Sequence, residues 1–242
     1  MRQGGLDLER RGPDFEQFCR SELREIALRS PLNHSIQICQ EPIVFKPKSD
    51  REEEIDLVII LGETILLVEV KCILWPDDAI QIANYRDTVE KAAAQIARKR
   101  EAVIKHYPTF SERLSKGGYK PPEKANILGC VLTNSAVFSG FPINGVSIID
   151  LAILRSFLIN EHVRSLECDK GKTINKKAIS FYTDLANAME TLPEYLLNPP
   201  QLDITRQSVM IREVAFPLES PASGKLVYET YYVELDVKAF SA

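Results

Sequence analysis

The chain has no apolar run long enough to cross a membrane; its longest, residues 57–61 and 65–68, are the size of β-strands. Its opening stretch, MRQGGLDLERRG, lacks the apolar core of a secretory leader. The five cysteines (Cys19, Cys39, Cys72, Cys130, Cys168) form no C-x-x-C pair, which argues against a disulfide framework or a zinc site. A reducing cytoplasm is the expected compartment. The three histidines, His34, His106 and His162, share no metal-ligand spacing. The sequence also lacks a glycine-rich phosphate loop, which argues against ATP-driven chemistry.

What remains is an ordinary folding composition, 45% hydrophobic and 26% charged, in 242 residues. That is enough for one large domain, or for a medium domain with an appendage. The formal net charge of -4 does not favour a polyanion partner, yet the charge is segregated. Between Asn84 and Lys124 ten basic residues stand against five acidic ones, while residues 50–56 are strongly acidic. Binding to nucleic acid depends on such local patches rather than on the whole-chain balance.

Periodicity predicts a helix over residues 14–30, entered at Gly12-Pro13 and ended by Pro31. Residues 35–46 alternate around Pro42 as an edge strand does. Two apolar runs, 55–61 and 64–70, flank Gly62-Glu63, the signal for a type II′ hairpin. Residues 77–107 lack Gly and all Pro and are rich in Ala, Lys, Arg and Gln, so they read as one or two long helices. Residues 108–125 read as a loop that could hold a helical turn, residues 127–133 as a buried strand and residues 145–149 as a further strand. Residues 151–161 and 177–189 look helical. After Pro199-Pro200, residues 208–218 and 225–237 suggest a terminal hairpin bearing Tyr228, Tyr231 and Tyr232. The expected fold class is α/β with an antiparallel hairpin at its centre. Residues 12–160 form the core, and residues 161–242 form an α+β extension.

The hairpin carries the chemistry. If Gly62 and Glu63 are its loop, Asp56 lies opposite Glu69 and Glu54 lies opposite Lys71. Opposed residues share a face, as do residues two apart, so Asp56, Glu69 and Lys71 converge. Two carboxylates this close repel, and a divalent cation relieves the repulsion. Mg²⁺ takes one or two carboxylates and fills its other positions with water and phosphate, and the Val70 carbonyl could add a ligand. Lys71 can orient or activate the attacking water and neutralise a phosphate oxygen. The bland alternative is an ion-paired hairpin end, with Lys71 bonded to Glu54 or Glu69.

Ile55-Asp56, twelve intervening residues and Glu69-Val70-Lys71 resemble the signature of the PD-(D/E)XK (restriction-endonuclease-like) nuclease superfamily. Ile55 stands where the superfamily's name places Pro. The element order over residues 12–135 also resembles its core of a helix, a three-stranded antiparallel meander, a helix and a strand. The resemblance implies an acidic residue on the first helix, for which Glu16 is the best match and Glu22 the second. It also implies a Gln or Lys on the long helix facing the site, for which Gln95 is the candidate.

Lys91, Gln95, Arg98 and Lys105 share one helical face and could form a phosphate-binding stripe. Trp75-Pro76, just past the motif, could contact a base or rim the cleft, although packing on the next helix is the plainer role. The expectation is therefore a Mg²⁺- or Mn²⁺-dependent nuclease. It would act most readily on DNA, with RNA open, no membrane partner and a homodimer as one arrangement. The competing expectation is a silent nuclease-fold module that binds nucleic acid or protein.

Overall fold

The computed structural model describes residues 10–47, 50–160, 162–169, 172–202, 209–217 and 225–233, and for 163–178 and beyond 202 the backbone alone. The chain is mixed α/β and divides into two compact units, Met1–Val163 with Ile179–Pro199, and Arg164–Ala178 with Pro200–Ala242. The helix at 185–197 therefore groups with the first unit rather than with the C-terminal strands.

The first unit is built on a five-stranded sheet of order β1-β4-β5-β6-β7: Ile36–Ile38, Leu57–Leu61, Thr64–Lys71, Asn126–Thr133 and Ser147–Asp150. Its centre is the hairpin read from the sequence. β4 and β5 pair antiparallel from Leu57↔Val68 to Leu61↔Thr64, around Gly62-Glu63. Gly62 has φ 54°, and Glu63 is not among the residues with positive φ. A positive φ at the first loop position alone is what a type II′ turn requires. β5 then crosses through α2 (Ala79–Lys105) to β6, which runs parallel to it. A parallel return needs a long connection of this kind.

α2 starts where the Asp78 side chain accepts the Gln81 backbone N–H at 2.7 Å. Its stripe Val89, Ala92, Ala93, Ile96 and Val103 is buried with Val58, Ile60, Ile65, Leu67 and Val131 of the sheet. Each fully buried Val, Ile or Leu side chain among them contributes on the order of 1.5–3 kcal/mol. The odd-numbered residues of β5 therefore face α2. By strand alternation the even-numbered ones face the other layer. There α1 (Arg11–Arg29) packs on β1, β5 and α4 (Leu151–Ile159) through Cys19, Leu23 and Ile26.

Several expectations needed correction. The strand expected at 35–46 splits in two: β1 pairs with β4, and β2 (Ile43–Phe45) pairs with β3 (Glu53–Ile55). The first hairpin strand is broken at Asp56, between β3 and β4. Glu54 consequently sits opposite Val44, not opposite Lys71. α1 begins at Arg11, taking Gly12 and Pro13 into its first turn, where a missing N–H costs nothing. Residues 108–125 contain a helix, α3 (Tyr107–Lys116), with Pro108 in its first turn and Phe110 and Leu114 buried.

The helix expected at 177–189 is displaced to α5 (Leu185–Leu197), which opens on an Asp184 cap and runs through Pro193. Residues 162–169 and 172–180 are instead the paired strands β8 and β9. The expected terminal hairpin is present as β10 (Val209–Pro217) against β11 (Lys225–Val233). Ser208, Leu218 and residues 234–237 of that expectation lie outside the described residues. Among the described residues no helix is long and apolar enough to cross a membrane.

Candidate active site

The break at Asp56 organises the site. An unbroken antiparallel ladder would continue from Leu57↔Val68 towards Asp56 and Glu69. Instead the Asp56 backbone leaves the ladder, and its carboxylate Oδ2 accepts the Val70 N–H at 2.8 Å. The Asp56 carbonyl, freed from the ladder, accepts a hydrogen bond from Arg20 Nη1 at 2.8 Å. Arg20 is almost fully buried on α1, and its Nη1 also lies 3.7 Å from Glu16 Oε2. One guanidinium thus ties the first helix to the strand break and holds Glu16 beside it. A strand residue points its N–H and C=O to the same edge, so the Val70 carbonyl lies on the same side as the Asp56 carboxylate.

Glu69 is buried, and both of its oxygens are occupied. Oε1 accepts from Lys71 Nζ at 2.7 Å and Oε2 from Lys99 Nζ at 2.5 Å. Lys99 Nζ also lies 3.7 Å from Asp56 Oδ1. Both carboxylates therefore converge on a single ammonium, which marks one point that a cation can share between the two strands.

The electrostatics follow from this crowding. Burial, and then the Glu69 charge, push the Asp56 carboxyl above the ordinary aspartate range against the pull of Lys99, the Val70 N–H and Lys71. Burial, and then the Asp56 charge, likewise raise Glu16. Burial opposes the Lys71 ammonium, but the Glu69 hydrogen bond and the Glu69, Asp56 and Glu16 charges outweigh it and hold its pKa above normal. Lys71 is therefore held as an ammonium by the three carboxylates around it.

Asp56, Glu69, Lys71, Val70 and Glu16 are thus gathered at one end of β5. Glu22 is not, being 3.7 Å from Arg155 on α4. Gln95 is half-buried one turn before Lys99, and its side chain makes no hydrogen bond to the trio. The long helix delivers Lys99 in its place. The signal for Lys99 was present in the sequence: Ala92, Ile96, Lys99 and Val103 follow at offsets of four, three and four, so a lysine interrupts the apolar stripe. A buried lysine needs an acid partner. Arg20, between Cys19 and Leu23 on the buried side of α1, carries the same signal.

The expected phosphate stripe on α2 is otherwise engaged. Arg98 clasps the buried Glu53 with two hydrogen bonds, 3.1 and 3.0 Å, and Lys105 pairs with Asp50 at 3.0 Å. The acidic segment and the basic helix, far apart in composition, neutralise each other. Lys91 alone of the three is exposed without an acidic partner.

Among the described residues no three His, Cys, Asp or Glu side chains cluster tightly enough to enclose a metal ion by themselves. The donor set suits a hard cation that needs few protein ligands: two carboxylates, a backbone carbonyl and remaining positions open to water and phosphate. No protein-family model, no curated protein and no solved structure matches this chain.

Proposed function

We propose that the chain is a metal-dependent nuclease with a restriction-endonuclease-like core, hydrolysing phosphodiester bonds in DNA. The observation that carries this reading is the convergence of Asp56 and Glu69 on one positive centre, the Lys99 ammonium, with Lys71 alongside. Asp56, Glu69 and the Val70 carbonyl would hold Mg²⁺ or Mn²⁺. When bound, the ion supplies a Lewis acid for the phosphate and a water of lowered pKa.

The chain's own residues do the rest. Lys71 stays protonated and neutralises a phosphate oxygen as negative charge builds in the transition state. Lys99 fixes the second Glu69 oxygen, so the carboxylate keeps its orientation. Arg20 holds the strand break open by capturing the Asp56 carbonyl. Glu16, the most exposed of the three carboxylates, is placed at the solvent side to exchange protons.

One observation favours a second reading. Glu16, Asp56 and Glu69 face Arg20, Lys71 and Lys99, a cluster balanced in charge without any metal. A silent module that only binds nucleic acid or protein would be stable with that arrangement. Incubation with plasmid, linear duplex, single-stranded DNA and RNA, each with Mg²⁺, Mn²⁺ or EDTA, separates the two. The nuclease gives metal-dependent products that EDTA abolishes. Binding without cleavage under every condition supports the silent module.

A further inference from the structure

Among the described arginines, Arg11 and Arg24 make neither an ion pair nor a hydrogen bond, and both are on α1. Arg24 lines a polar cavity of about 370 Å³ between α1 and the Gln40-Glu41 turn. From α1 the stripe Gln17, Arg20, Ser21 and Arg24 forms one wall, and Gln40 and Glu41 form the opposite one. Offsets of three, one and three place that stripe on one helical face. The cavity adjoins the candidate active site through a shared residue, because the Arg20 that lines it also holds the Asp56 carbonyl. Arg24 follows Arg20 by four residues, about 6 Å along the helix axis.

An exposed guanidinium with no ion pair, lining a concave polar setting together with amide and hydroxyl groups, matches a phosphate rather than an apolar ligand. Glu41 is the one acidic side chain in the wall. The Gln40 backbone N–H is already taken by the Tyr119 hydroxyl at 2.8 Å, so its side-chain amide is the group left to donate.

We infer that this cavity is a flanking phosphate site: Arg24, with the Gln17 and Gln40 amides, takes a backbone phosphate of the nucleic-acid strand whose neighbouring linkage lies at Asp56 and Glu69. The inference rests on the nuclease reading and adds the path of the strand, along α1 rather than along α2, where Arg98 and Lys105 are occupied.

The test is equilibrium binding of fluorescent DNA duplexes of several sequences to the full chain in EDTA, over a range of salt concentrations. Wild type is compared with Arg24→Gln and with Arg29→Gln, an exposed arginine of the same helix that pairs with Glu25. Loss of one phosphate contact lowers the slope of log affinity against log salt by about one and weakens all sequences alike. That result is expected for Arg24→Gln, with the Arg29→Gln slope unchanged. Wild-type binding with an unaltered Arg24→Gln slope overturns the flanking site and leaves the nuclease reading standing. A loss that differs between sequences also overturns it, in favour of base contact. A wild type that neither binds nor cleaves DNA or RNA overturns the nuclease reading and this inference with it.

Discussion

Asp56 sits where its charge is unfavourable, and that placement has measurable consequences. Its folded-state pKa lies above the unfolded value, so the folded chain binds its proton more readily. Its contribution to stability is therefore full at low pH and declines as pH rises through the ordinary aspartate value towards the raised one. Asp56→Asn keeps an oxygen that can accept the Val70 N–H and removes the charge. In EDTA at neutral pH this variant should melt a few degrees above wild type, and the gain should shrink as pH falls and the wild-type carboxyl takes up its own proton. A variant that melts lower at neutral pH would contradict the account. Stability gained by losing a site residue is the exchange expected of a functional group.

Lys99 makes the opposite case. Lys99→Met leaves the buried Glu69 with Lys71 alone, and Asp56 with a nearby carboxylate and only the pull of Lys71, which is beyond ion-pair distance. Removing one partner of a buried ion pair costs about 3 kcal/mol or more. Thermal melting in EDTA should show that loss, and added Mg²⁺ should raise the melting temperature more in the variant than in wild type. An equal Mg²⁺ shift in the two proteins would argue that the carboxylates do not share a cation. A two-residue turn sets the register and so brings Asp56 near Glu69 and Lys71, but the break that takes Asp56 out of the ladder was not legible in the sequence. Lys99 and Arg20 are harder to see in the sequence, because a charge inside an apolar stripe reads with its charged neighbours instead of with the face it interrupts.

At the scale of elements, the decisive feature is an interruption. β3 and β4 would form one strand if Asp56 stayed in the ladder, and the Arg20 guanidinium captures the carbonyl that the break releases. Arg20→Gln removes that tie without altering any residue proposed to hold metal. We expect a ten- to hundredfold rise in the Mg²⁺ concentration needed for half-maximal cleavage, the usual scale for residues that orient metal ligands. Arg20→Lys should recover part of it. A metal titration that superimposes on wild type would show that the break is held by other contacts.

Long, strongly periodic elements such as α1, α2 and β5 could be read from the sequence, because burial imposes their pattern. α3 could not, because Tyr107-Pro108 reads as a turn until Phe110 and Leu114 find the core. α5 begins later than residues 177–189 suggest and runs on through Pro193, with Tyr195 and Leu196 beyond it buried.

For the whole molecule, every residue of the candidate site belongs to the first compact unit. A chain ending at Pro199 keeps the whole first unit, together with residues 164–178 of the second, and should therefore retain metal-dependent cleavage; loss of cleavage from a folded truncation would assign the terminal strands a part in the reaction. The composition suggested a basic helix offered to nucleic acid, but three-dimensional pairing with residues 50–53 neutralises much of it. Such long-range pairing cannot be seen along a sequence. The central claim is that Asp56 and Glu69 jointly hold a metal that cuts DNA. The direct measurement is the cleavage rate of wild type, Asp56→Asn and Glu69→Gln on one DNA substrate with saturating Mg²⁺. The account predicts products from wild type alone, with each variant slower by at least about a hundredfold, the loss typical of removing one transition-state contact. Cleavage by either variant at the wild-type rate would contradict it.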